Sequence, residues 1–368
     1  MGVVVAYYGG RVVSNVAIVA VFWTSNVSVD VQQQVGSFYA SVAASSYIDW
    51  LEEYDTVGRT GAGGQAGSDQ HIGRGRFAGA VTITPGNEAT TLDDAAIAAE
   101  LTAQIAAGTL PAPTFDPAGN VNTVYMIEIP PGYTVTLLGG QSCADFCAYH
   151  STASIAGASV PYAVLPDSQS CAGAVCGQGF DDETILRSHE LAEAITDAES
   201  GLVSAAGKVA GANVYPMAWA GDGGAKGEIG DLCFEGFVGD HAEVAGYAVQ
   251  KLWSNYAGAC VVGVPVCSPG AAPPACRRCT AYDNGAACAG GTPVCDEGSG
   301  YCEEGAGAGA GADAGAGADA GAGADAGAGA GAGERLRAGC AAGGGGTAWA
   351  GIEAGLLALA AACRRRRR

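Results

Sequence analysis

The sequence predicts an α/β (or α+β) main domain with a mostly parallel sheet, then a small disulfide-rich module, a linker and an apolar C-terminal segment. Three observations carry this reading. Strand-like and helix-like patterns alternate over the first 130 residues, a long amphipathic helix pattern recurs at 182–199, and the composition changes abruptly after Val266. The implied divisions are 1–265 (main domain), 266–304 (Cys-rich module), 305–333 (linker) and 334–368 (tail).

Residues 15–23 form a continuous apolar run of buried-strand length. A helix is expected over about 28–54, with Val31, Val35, Phe38 and Val42 at helical spacing. Residues 58–79 are rich in Gly and Ser and read as an excursion loop. Ala80–Thr84 reads as a second strand stopped by Pro85-Gly86, and a helix runs from a Thr91 cap through Leu101 and Ile105 to a Gly108 stop. Val121–Ile129 is a third strand. Strand, helix, strand, helix, strand in this order favours parallel pairing. Shorter strands are expected at 133–138 and 160–165, before the helix at 182–199.

The net charge is −20, and five of the 17 basic residues are Arg364–Arg368, so the rest of the chain is more acidic still. No basic footprint exists to displace counterions from nucleic acid, which excludes that partner class. Of 14 cysteines, six lie in the main domain (Cys143, Cys147, Cys171, Cys176, Cys233, Cys260) and six in the module (Cys267, Cys276, Cys279, Cys288, Cys295, Cys302). Even counts in both parts suit an oxidising compartment. Cys276-Arg277-Arg278-Cys279 has zinc-knuckle spacing, but no second pair matches it, so disulfides are expected there.

Residues 305–333 are Gly and Ala with Asp313, Asp319 and Asp325, a composition that buries nothing and reads as a disordered spacer. Residues 347–363 form an apolar stretch at the short limit for a transmembrane segment, interrupted by Glu353 and followed by the five arginines. The positive-inside rule puts those arginines in the cytoplasm. Cys340, the Gly343–Gly346 run, the short span and the arginine cluster together resemble the myxobacterial C-terminal sorting signal. That resemblance implies processing near Cys340 and retention at the cell surface or outer membrane; an ordinary tail anchor is the other reading. Met1–Ala6 is apolar but lacks a basic start, and Tyr7-Tyr8-Gly9-Gly10 interrupts it early. Either export uses another route or a signal peptide precedes this start; the cysteines and tail favour the second.

The densest chemistry lies in Asp181–Gly201. Asp181 reads as the helix cap, with acids in the first turn and Gly201 as the stop. At 100° per residue Leu191, Ile195 and Ala198 share one face, while His189, Glu190, Glu193 and Asp197 share another. Carboxylates at i, i+3 and i+4 repel by roughly 0.2–0.5 kcal/mol per pair, and only Arg187 is near enough in sequence to relieve them. A bound cation accounts for the cluster; a plain acidic face is the competing reading.

His189-Glu190-Leu191-Ala192-Glu193 is the zincin pattern with Glu in the second ligand position, so the main domain resembles a zincin. The resemblance implies His189 and Glu193 as metal ligands and Glu190 as the general base that activates water. A carboxylate in place of the second histidine weakens the Lewis acid. The third ligand is sought in Gly227-Glu228-Ile229-Gly230-Asp231, with Asp231 first and Glu228 second. Zn2+ is the expected ion, and Ca2+ the alternative if coordination is by oxygen alone. His150 either approaches the same site or is a satisfied core histidine. His71 and His241 read as surface-loop residues, and a Cys147/His150 nucleophilic pair is disfavoured because exported cysteines are usually oxidised.

Three further strings resemble the secreted phosphate-induced (exordium-like) family: Tyr8–Asn15, Phe146-Cys147-Ala148-Tyr149-His150, and Tyr247–Asn255 with Cys260. The helix motif and Gly227–Asp231 resemble its bacterial and fungal branch. The resemblance implies export and a shared fold over about residues 7–262, and supplies no reaction. Two function classes follow: a surface-tethered metal-dependent hydrolase of zincin-like peptidase type, and a non-catalytic surface protein binding wall polymer or a protein partner. A third reading gives the binding role to the Cys-rich module.

Overall fold

The computed structural model describes residues 4–201, 208–209, 212–213, 217–221, 227–234, 241–264, 293–296 and 301–304. The linker, the segment 347–363 and Cys340 lie outside them, as does most of the Cys-rich module. Among the described residues no helix is long and apolar enough to cross a membrane.

The central sheet has five strands: β1 (Asn15–Phe22), β2 (Gly73–Thr82), β3 (Thr123–Ile129), β4 (Tyr149–Ile155) and β5 (Ala158–Pro166). Their spatial order is β4-β5-β3-β1-β2. All neighbours are parallel except the β4/β5 hairpin at one edge, so the domain is mixed α/β with a mostly parallel sheet. The apolar run of β1 is explained by burial on both faces. Ile18, Ala20 and Phe22 enter one core with Phe38, Val42, Leu191 and Ile195. Val19 and Val21 enter the other with Ile97, Leu101 and Tyr125. Helices α1 (Val29–Ala43) and α3 (Gly179–Thr196) therefore cover one face, and α2 (Asp94–Ala106) the opposite one.

Several boundaries differ from expectation. The helix expected over 28–54 is three pieces: α1, a short turn Ser46–Asp49 whose Tyr47 amide is capped by the Ser45 side chain, and a 3-10 segment Trp50–Tyr54. The loop expected at 58–79 is corrected most strongly, because β2 already begins at Gly73. It is an edge strand pairing only with β1, and its half-exposed alternation hides it from an apolar-run criterion. The cap of α2 is Asp93, which accepts from the Ala96 amide at 2.7 Å, and Thr91 belongs to a short strand before it. Helix α3 starts at Gly179, so Asp181 lies inside it. Its start is held by the Gln178 amide donating to Asp182 at 2.6 Å, and it ends at Thr196, ahead of Gly201.

All six main-domain cysteines are paired, as Cys143–Cys171, Cys147–Cys176 and Cys233–Cys260. The second bridge removes the Cys147/His150 nucleophilic pair. The third ties the loop after Gly230 to the end of the domain. A hairpin of β6 (His241–Val244) and β7 (Tyr247–Gln250) lies against α3, joined to it where Thr184 Oγ1 donates to the Ala248 carbonyl at 2.7 Å.

Candidate metal centre

Helix α3 is apolar on one face, yet its polar face is not solvated. His189, Glu190 and Glu193 are each 3 % exposed and Asp197 is 1 % exposed. The plain acidic surface is therefore overturned: these side chains point into protein. Nor does Arg187 relieve them. Its guanidinium bonds Glu128 at 2.7 and 3.1 Å and Glu183 at 3.3 Å, forming a separate buried network that includes the Tyr39 hydroxyl.

The first group consists of His189, Glu193 and Asp231. His189 Nε2 lies 3.0 Å from Glu193 Oε2 and 3.8 Å from Asp231 Oδ1. Gln250 on β7 orients the imidazole. Its Nε2 donates to the Gly230 carbonyl at 2.7 Å, which makes its Oε1 the acceptor facing His189 Nδ1 at 2.6 Å. His189 thus donates from Nδ1 to Gln250 and turns Nε2 toward the carboxylates. A ligating histidine commonly has its other nitrogen fixed in this way.

Glu193 is held just as firmly. Its Oε1 accepts from the Gly230 and Asp231 amides, both at 3.0 Å, leaving Oε2 free to face the imidazole. That approach needs glycine at 230, since a Cβ there would stand 2.6 Å from His189 Nδ1 and 2.8 Å from Glu193 Oε1. Ile229 anchors the loop by its buried side chain and by its carbonyl, which accepts from the Trp253 amide at 2.8 Å.

A second group shares Glu193. His150 projects from β4, with Nδ1 3.4 Å from Glu190 Oε2 and 3.6 Å from Glu193 Oε2, while its Nε2 is 3.5 Å from Glu228 Oε2. His150 thus joins the site and is not a satisfied core histidine. Glu228 and Asp231, the two candidates for one position, both face the cluster. His150 Nε2, Glu228 Oε2 and Asp197 Oδ2 are buried and lack hydrogen-bond partners.

No family model, curated protein or solved structure matches this chain.

Five carboxylates (Glu190, Glu193, Asp197, Glu228, Asp231) thus share an interior with two imidazoles. Burial and the neighbouring charges of Asp197 and Glu193 hold Glu228 well above the usual carboxylate range. Burial and the Glu193 charge push Asp231 up to about 7, and burial carries Asp197 to about 7. Burial alone would lower His189, but the Glu193 and Glu190 charges outweigh it and raise it well above the ordinary value. Two imidazoles cannot balance five carboxylates, and buried charges are ordinarily paired or coordinate metals. The groups His189–Glu193–Asp231 and His150–Glu190–Glu193 each bring their ligand atoms within 4.8 Å of one another, so each could hold a metal ion.

Sequence reasoning reached His189, Glu190, Glu193, Asp231 and Glu228 through motif spacing, and left His150 open. It assigned no role to Gln250 or Gly230, because neither spacing nor residue type reveals a hydrogen bond that orients a ligand from another element. His71 is also corrected. It is partly buried and its Nδ1 is paired with Asp55, whereas His241 is exposed on β6. Glu52, Asp55 and His71 form a third, more exposed group.

Proposed function

We propose that this chain is an exported protein retained at the cell surface or outer membrane, whose main domain is a zincin-like metal-dependent hydrolase acting on a peptide or wall-associated substrate. The observation that carries the reading is the Gln250–His189 hydrogen bond, which holds His189 Nε2 facing Glu193 and Asp231. Those three residues are the proposed ligands. The imidazole nitrogens favour zinc over calcium, which takes oxygen ligands. A zinc ion there would supply a Lewis acid and lower the pKa of a bound water. Glu190, with Oε1 3.9 Å from His189 Nε2, is the proposed general base that takes the proton from water. Three disulfides support maturation in an oxidising compartment, and surface retention rests on the tail motif.

The test is the zinc content of the purified full-length chain, made in an oxidising compartment, beside His189→Ala and Glu193→Ala. Both variants are expected to lose zinc from this subsite while keeping a native near-UV spectrum. Glu190→Gln is expected to keep that ion and lose hydrolysis in a peptide screen. A folded wild-type chain that takes up no metal would sink the reading.

A second reading is a non-catalytic, exordium-like surface protein that binds wall polymer or a protein partner. The depth of the cluster favours it, since Glu190 and Glu193 are nearly inaccessible. Its signature would be tightly held metal with no turnover of any peptide or wall fragment.

A further inference from the structure

We propose that the centre holds two cations rather than one, with Glu193 bridging them and His150 and Glu190 completing the second subsite. This rests on the metal-centre reading above and extends it.

His150 is the observation that takes the second subsite beyond an acidic cluster. It comes from β4 rather than α3, is nine-tenths buried, and turns its imidazole edge into the cluster with Nε2 unpartnered. Its Nδ1 stands 3.4 and 3.6 Å from Glu190 Oε2 and Glu193 Oε2. A charge-assisted hydrogen bond between imidazolium and carboxylate closes to about 2.7–2.9 Å, so these contacts are too long for a well-made ion pair. They match co-ligands of one ion: two atoms each about 2.0–2.1 Å from a tetrahedral zinc lie roughly 3.3 Å apart.

The unpartnered atoms fit the same assignment. With the Nδ1 lone pair directed at an ion, the His150 proton resides on Nε2, where Glu228 Oε2 waits 3.5 Å away. Glu228 then becomes a positioning residue that accepts from Nε2, as carboxylates do behind metal-bound histidines. Two atoms buried without partners acquire each other.

Glu193 is built for the bridging role. Two backbone amides occupy its Oε1, while Oε2 is 3.0 Å from His189 Nε2 and 3.6 Å from His150 Nδ1. Paired ions about 3.5–4 Å apart are a recurring hydrolytic arrangement. In such a pair Glu190 would ligate the second ion in place of the general-base role it has in the mononuclear reading, and the two ions would supply the activation of water.

Stoichiometry decides it. The full-length chain would be stripped of metal, reloaded with zinc alone and counted by elemental analysis. Each count is taken relative to the His150→Ala/His189→Ala double variant, which cancels any ion held by the cysteine module. Wild type is expected to bind two ions above that reference, and His150→Ala and Glu190→Gln one each. Cobalt in place of zinc should give a spin-coupled pair in wild type and an uncoupled ion in Glu190→Gln. One ion in wild type, without cobalt coupling, overturns the second subsite and leaves the mononuclear reading standing; no ion at all removes both. The wild-type cobalt spectrum, which needs no reference, decides the matter even where a variant fails to fold.

Discussion

At the scale of single residues, the centre depends on side chains that would not themselves touch an ion. Gln250 is fully buried: its backbone N–H donates to Ser188 Oγ at 2.9 Å, its side-chain Nε2 donates to the Gly230 carbonyl and its Oε1 accepts from His189. Removing it frees the imidazole to rotate or change tautomer and leaves Gly230 unsatisfied. Loss of such an orienting partner typically weakens metal affinity by about 10–100-fold. Gln250→Ala is therefore expected to raise the zinc dissociation constant by that factor, read by competition with a chromophoric chelator. An unchanged constant would mean that His189 is not a ligand. Residue type alone could not reveal this role: in the sequence Gln250 stands in an ordinary strand pattern, and only the approach of β7 to α3 gives it chemistry.

At the scale of elements, legibility followed the physical signal each segment carried. β1 and β3 were readable because strands buried on both faces are apolar throughout. The stripe Val31, Val35, Phe38, Val42 on α1 was likewise visible, and all four are buried. The end of β2 falls within the strand expected at Ala80–Thr84, but its start is hidden because Gly73, Gly75 and Gly79 and an exposed alternate face disguise an edge strand as a loop. β4 was missed because Ser151, Thr152 and Ser154 interrupt its apolar pattern, although its side chains are mostly buried. Helix α3 was legible as a helix, but the destination of its polar face was not. Periodicity reports which residues share a face and says nothing about what covers that face. Arg187 shows the difference, since it turns away from Glu190, three positions on, and pairs with Glu183 and with Glu128 on β3, 59 positions away. This pair is 5 % and 1 % exposed, with no water to solvate a widowed charge. Glu128→Ala is expected to cost about 3–5 kcal/mol, the usual result of breaking one side of a buried pair. A urea titration followed by fluorescence measures it, and a loss below about 1 kcal/mol would show that the pair does not hold α3 to the sheet.

At the scale of the whole molecule, the domain gathers the ends of distant segments around one acidic interior: β4, α3, the 227–231 loop and β7. Folding that interior without a cation has a pH signature. Asp197 and Asp231 are pushed up to about 7 by burial, with the Glu193 charge adding to Asp231, and Glu228 is raised well above its ordinary range by burial and its acidic neighbours. The groups facing Asp197 are His150, Glu199 and Glu228. A carboxyl whose pKa is higher folded than unfolded binds more protons in the folded state between those two values. Stability therefore falls as pH rises through that window. His189 acts in the same direction: despite burial, the Glu193 and Glu190 charges raise it, so its contribution is full below its unfolded pKa and lost as pH rises through the folded one. Glu193 runs the other way. Burial would raise it, but the His189 charge prevails and lowers it, so its effect lies below the ordinary Glu range and outside this window. The metal-free protein should accordingly lose several degrees of Tm between pH 5 and pH 8. Bound metal reverses the slope, because ligation requires deprotonated carboxylates and releases protons, so affinity grows with pH. Scanning calorimetry of stripped and zinc-loaded protein should show two Tm curves that diverge as pH rises. Parallel curves would mean that zinc does not bind in this acidic interior.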